Sequence, residues 1–158
     1  MKNGFTLVEV LVAVSIIGVL STVILLNYRT GQEQAILTRA AAALETDIRN
    51  TQNLGISSPQ LSGSIPCGYG LRYVDNRNYS LYAGHLGGAA NCQASNHNFQ
   101  SGTDSVYQDI KIIEQRVVFK NPFPDIFFEP PDPVTYINDN RAIGVSTAIE
   151  LCLESDLT

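Results

Sequence analysis

Charge is scarce in this chain, and positive charge most of all. Of its 158 residues only 16% are charged, and 15 acidic residues outnumber 10 basic ones for a formal net charge of −5. Ordinary soluble domains carry roughly 25% charged residues. Nucleic-acid backbones are held by clustered cations, so this balance argues against a nucleic-acid-coating protein. Catalytic signatures are missing as well: there is no G-x-S-x-G elbow, no Walker glycine–lysine loop, no dinucleotide fingerprint and no H-E-x-x-H. Gly84-His85-Leu86-Gly87-Gly88 is rich in glycine but has no lysine and no helix pattern after it, so it reads as a loop. His85, Cys92 and His97 follow no standard zinc spacing. Asp104, Asp125, Asp132 and Asp139 sit in turn contexts without the EF-hand pattern. The chain is expected to be no enzyme and to hold no metal and no cofactor. Its length suits one compact head with an accessory element.

What the chain does have is a concentrated apolar run. From Phe5 to Leu26 it reads FTLVEVLVAVSIIGVLSTVILL, with Glu9 as the only formal charge and no proline. As a helix rising about 1.5 Å per residue, this run spans roughly 33 Å, enough to cross a hydrocarbon core of about 30 Å. It is longer than a secretory h-region and no A-x-A site follows it, so a removable signal peptide is the weaker reading. Glu9 is the anomaly. A carboxylate inside an apolar membrane helix costs about 2.5–3.5 kcal/mol on insertion scales, and such groups usually have a partner. None lies nearby in this segment, so the partner comes from processing or from another chain, unless Glu9 sits close enough to the interface to reach water.

Gly4-Phe5-Thr6-Leu7-Val8-Glu9, after a short leader containing Lys2 and before the apolar run, resembles the prepilin signature of type IV pilins and type II secretion pseudopilins. That resemblance implies a leader of residues 1–4, cleavage between Gly4 and Phe5 by a prepilin peptidase, and N-methylation of Phe5. Gly18 also falls where many members of the family carry a helix glycine. Leu26 departs from the family: many major pilins have a helix-bending proline near that position. The departure favours a minor pilin or pseudopilin. The new amino group on Phe5 of a neighbouring subunit would then neutralise Glu9 in an assembled filament.

From Asn27 to Gly55 the chain reads as an amphipathic helix continuing the first. Leu37, Ala41, Leu44 and Ile48 recur at helical spacing and are expected to pack on the head. Glu45 and Arg49 make an i, i+4 pair. Gly31 marks a soft spot, Gly55 a helix C-cap, and Ser57-Ser58-Pro59 a break. After Pro59 the pattern becomes strand-like. Gly68–Val74, the turn Asp75-Asn76-Arg77-Asn78 and Tyr79–Ala83 read as a β-hairpin. Further strands are expected at Val106–Ile113, Arg116–Phe119, Ile126–Phe128, Val134–Ile137 and Ile143–Leu153. Phe128-Glu129-Pro130-Pro131-Asp132-Pro133 must be extended or turned. Tyr69, Tyr73, Tyr79 and Tyr82 on the hairpin are expected to pack the sheet. The predicted fold is therefore α+β: a 5–26 transmembrane or filament-core helix, a 27–55 amphipathic helix, and an antiparallel β-rich head at 56–158. GYGLRYVDNRNYSLYAG and IFFEPPDP also resemble the head of H-type minor pseudopilins.

The orientation implied by the family puts the head outside the cytoplasm, where disulfides persist. Of the three cysteines, Cys67 and Cys92 bracket the hairpin, and a bond closing 67–92 would contribute roughly 3 kcal/mol. Three pairings are possible and this one is favoured. Cys152 is then left over, on the strand face shared with Glu150 and opposite Ile149, Leu151 and Leu153.

These readings imply a structural, minor subunit of a type IV pilus or type II secretion pseudopilus. It would wait as a single-pass protein of the inner (cytoplasmic) membrane. Its expected partners are the prepilin peptidase, other pilin or pseudopilin subunits, the membrane and the assembly platform, with no nucleic acid. The alternative is a pilus-associated binding module, an adhesin or DNA-uptake subunit.

Overall fold

The computed structural model describes residues 6–84, 92, 96–132 and 134–157. One helix, α1 (Leu7–Ser57), precedes seven strands: β1 (Gly68–Tyr73), β2 (Asn78–Gly84), β3 (Ser105–Lys111), β4 (Val117–Phe119), β5 (Ile126–Glu129), β6 (Val134–Ile137) and β7 (Leu151–Leu153). A 3₁₀ turn follows at Glu154–Leu157. The architecture is α+β and pilin-like, as the sequence predicts. The chain divides into two compact units, Met1–Ile36 and Leu37–Thr158.

In the first unit α1 starts at an N-cap. The amide of Glu9 lies 3.3 Å from Thr6 Oγ1 and 3.1 Å from the Thr6 carbonyl, so Thr6 satisfies one of the helix's orphan donors. The apolar side chains that follow are exposed, Leu7 to 81% and Ile24 to 67%. The few hydroxyls on this stretch turn back onto the helix. Ser15 donates to the Leu11 carbonyl at 2.8 Å, Ser21 to Ile17 at 2.7 Å and Thr22 to Gly18 at 2.8 Å. Folding them inward leaves no hydroxyl in need of a partner from an apolar surrounding. By length and composition α1 can cross a membrane. It runs through Gly31 without a break.

The second unit contains the outer part of α1 and all the strands. Five strands form one antiparallel sheet in the order β3-β2-β1-β5-β6, and β4 pairs with β7 in a separate two-stranded sheet. The hairpin β1–β2 lies at its centre, with Tyr73 opposite Tyr79 and Gly68 opposite Gly84. Its turn is held by the Asp75 carboxylate, which accepts from the backbone amides of Arg77 at 2.8 Å and Asn78 at 2.9 Å. Gly70 has no alternative at its position: a Cβ there would lie 2.4 Å from the Tyr82 ring. Tyr69, Leu71, Leu81, Tyr82, Val117 and Val118 are completely buried.

Three details depart from the sequence reading. First, Gly55 is not the C-cap. The helix runs to Ser57 and ends at Ser58, whose φ of 41° is left-handed and whose amide donates to the Leu54 carbonyl at 2.8 Å. Second, the buried residues of α1 are Ile36, Ala40, Leu44, Thr51 and Gly55; Leu37 and Ile48 are half-buried and Ala41 is exposed. The inward face thus carries a threonine, whose hydroxyl donates to the Asp47 carbonyl at 2.7 Å. Third, of the expected strand Ile143–Leu153 only Leu151–Leu153 is a strand, opposite Val117–Phe119. Beyond Phe119 the pairing continues only through the Lys120 amide, which donates to the Glu150 carbonyl at 2.9 Å; Pro122 and Pro124 follow and supply no further amide donors.

Candidate functional site

Glu9 lies in the first turn of α1, exposed. Among the described residues its carboxylate makes no hydrogen bond and no ion pair. A carboxylate in a helix's first turn is favoured by the positive end of the helix dipole. Thr6-Leu7-Val8-Glu9 also has the sequence of a capping box, a signal that the apolar-run reading passed over. Thr6 therefore belongs with Glu9 as a residue that shapes the amino-terminal end. Gly4 and Phe5 lie outside the described residues, as does His85.

In the head, Cys67 and Cys92 are joined by a disulfide, with their Cα atoms 5.3 Å apart. The bond ties the start of β1 to the loop beyond β2. Cys152 is free and half-buried on β7, opposite Val118. Burial pushes its thiol pKa up, and nearby Asp156 adds to the effect. A raised thiol pKa lowers the thiolate fraction that reactivity requires.

The hairpin tyrosines are packing residues, and three of the four have their hydroxyls satisfied. Tyr69 donates to the Pro59 carbonyl at 2.8 Å and Tyr82 to the His97 carbonyl at 2.8 Å. Tyr79 donates to Asp47 Oδ2 at 2.5 Å, joining β2 to α1. Burial first, then the Asp47 carboxylate, raises the Tyr79 pKa. Tyr73 meets Phe119 and Phe123 edge to face.

His97 is 6% exposed and stacks on Tyr136 with 3.6 Å between ring centres. Its Nδ1 lies 2.6 Å from Asp139 Oδ1, and its backbone amide donates to the same oxygen at 3.0 Å. These bonds hold the Asp139 carboxyl below its ordinary pKa. Two of the other turn aspartates do similar work. Asp104 accepts from the Gln100 amide at 2.7 Å and Asp125 from the Phe99 amide at 2.7 Å. Burial pushes Asp125 upward against that hydrogen bond. His97 and these three carboxylates, scattered in sequence, thus come together to fasten segment 96–104 over one region of the sheet. Sequence spacing gave no hint of this cluster, because its members approach only through the β5–β6 hairpin and the loop before β3.

The fold is that of an α+β protein whose first helix is long and apolar enough to cross a membrane, with no catalytic constellation among the described residues. Residues 1–25 match the family model described as the prokaryotic N-terminal methylation motif, the signature of type IV pilins and pseudopilins. No curated protein and no solved structure matches the chain. The motif supports a type IV pilin or pseudopilin processed by a prepilin peptidase and assembling with other pilin subunits, and it points to a structural subunit rather than an enzyme. A membrane-anchored location fits both the motif and the long apolar helix.

Proposed function

We propose that this chain is a minor structural subunit of a type IV pilus or type II secretion pseudopilus. The single observation that carries the reading is the methylation motif at residues 1–25 on a helix able to cross a membrane. The absence of proline at Leu26 favours the minor classes over a major pilin. Before assembly the protein sits in the cytoplasmic membrane with its head outside, a placement in keeping with the Cys67–Cys92 disulfide.

Cleavage after Gly4 leaves a positive amino group on Phe5, which the peptidase then methylates. In the filament this amine lies against Glu9 of a neighbouring subunit. Leaving one partner of a buried pair alone is costly, so the lone carboxylate favours entry into the growing bundle. The apolar face of Leu7–Leu26 forms the filament core and the head faces outward. The assembly platform recruits the subunit from the membrane. Mass spectrometry of the mature amino terminus tests this: N-methyl-Phe5 is expected, and an intact Met1 in cells that hold an active prepilin peptidase refutes it.

A further inference from the structure

Between the outer part of α1 and the strands lies a largely enclosed cavity of about 240 Å³. On the helix side it is lined by Ala40, Ala43 and Leu44, and on the other by Ile110, Ile112 and Phe119. Its size has a simple cause: two alanines stand where a helix over a sheet normally presents large side chains. Protein interiors pack to crystal density and keep few voids larger than a water molecule. An engineered apolar cavity of about 150 Å³ stays dry and takes up benzene.

Four of the polar groups around this cavity already have partners. Tyr79 donates to Asp47 at 2.5 Å, and Arg39 pairs with Glu114 at 3.4 Å. Water entering it would find few hydrogen bonds, so the space suits hydrocarbon. Arg39, Ala43, Lys111 and Ile113 are the exposed members of the lining and border the opening. Lys111 among them is basic, which suits the acidic or ester end of an amphiphile. Enclosure favours a slender ligand over a side chain from another protein, whose backbone must stay outside.

We propose that this cavity binds a single acyl chain, with about eight to ten carbons inside by proportion to the benzene cavity. The carboxylate or ester end emerges beside Lys111. The chain is supplied either by a free fatty acid or by a membrane lipid.

The test uses the full-length protein in phospholipid nanodiscs, with isoleucine methyl groups labelled for NMR and octanoate as the probe. Saturable shifts are expected at Ile110 and Ile112, with none at the exposed Ile143. Ala43→Leu fills the cavity and should abolish the shifts while leaving the remaining spectrum in place; Ala40→Val serves if that variant does not fold. Magnetisation transfer from lipid acyl protons to Ile110 before octanoate is added, lost afterwards, identifies a lipid as the source. Its absence, with octanoate still binding, identifies a free fatty acid. The proposal is overturned if octanoate gives no saturable shift. It is equally overturned if the filled variants respond like the wild type, or if only filament assembly perturbs these methyl groups.

Discussion

At the scale of single residues, the same side chain type does opposite things in different surroundings. Glu9 is an exposed carboxylate on an apolar helix with no partner among the described residues, and its proposed role is to find one on a sister chain. Glu9→Gln keeps the shape and removes the charge, so it is expected to enter the membrane normally and to fail in filament assembly. Wild-type levels of sheared filament from that variant would sink the role. Asp139, by contrast, has its partner in the fold. Its carboxyl is held below the ordinary value of 3.8 by the His97 ring and amide. The stability it contributes is complete above that value and is lost as pH falls through the lowered one. Asp139→Asn should therefore lower the urea midpoint at pH 7 and flatten its fall between pH 5 and pH 2. Asp125 is shifted upward by burial, so its sign is reversed: Asp125→Asn should lose least, or gain, at neutral pH. Urea titrations of both variants across that range distinguish the two directions.

At the scale of elements, the disulfide and the hairpin act together. The β1–β2 turn holds itself through Asp75, but the loop beyond β2 is tied back by Cys92 to Cys67. Removing that bond frees a long loop in the unfolded chain, and the paired change Cys67→Ser with Cys92→Ser is expected to cost about 3 kcal/mol. Thermal unfolding under oxidising conditions measures this, and an unchanged midpoint would mean the bond is idle. The ion pairs on the surface are of a different order. Glu45–Arg49 at 2.5 Å and Lys120–Glu150 at 3.2 Å are exposed, so each contributes only a few tenths of a kcal/mol. Arg77 is better placed, donating to the carbonyls of Glu114 and Gln115 and so pinning the hairpin turn to the turn ahead of β4.

For the whole molecule, the two units call for two solvents. The head buries its aromatic and aliphatic side chains around Tyr69, Leu71, Tyr82 and Phe127, while the apolar positions from Leu7 to Ile24 remain exposed. A chain beginning at Tyr28 is expected to be water-soluble and to unfold cooperatively, whereas the full chain should sediment with membranes and resist carbonate extraction. A truncated chain that precipitated as readily as the full one would show that the head depends on the first helix.

Much of this was legible in the amino-acid sequence. The apolar run, the lone Glu9, the glycine–aromatic start and the break at Ser57-Ser58-Pro59 are local patterns, and local patterns depend on near neighbours alone. The β1–β2 hairpin was legible for the same reason, since alternation and an Asp-Asn turn specify it within a few residues. The tertiary structure decided what depends on distant partners. It made the inward line of α1 run through Thr51 and Gly55, because Asp47 can accept the Thr51 hydroxyl. It cut the last strand to Leu151–Leu153, because the prolines after β4 end the ladder that an alternating sequence invites. It gathered His97 and Asp139 from positions 42 residues apart, and it left a cavity over two alanines. Hydrophobic periodicity shows that a face will be buried; only the surface it meets determines which face, and how completely the space between them is filled.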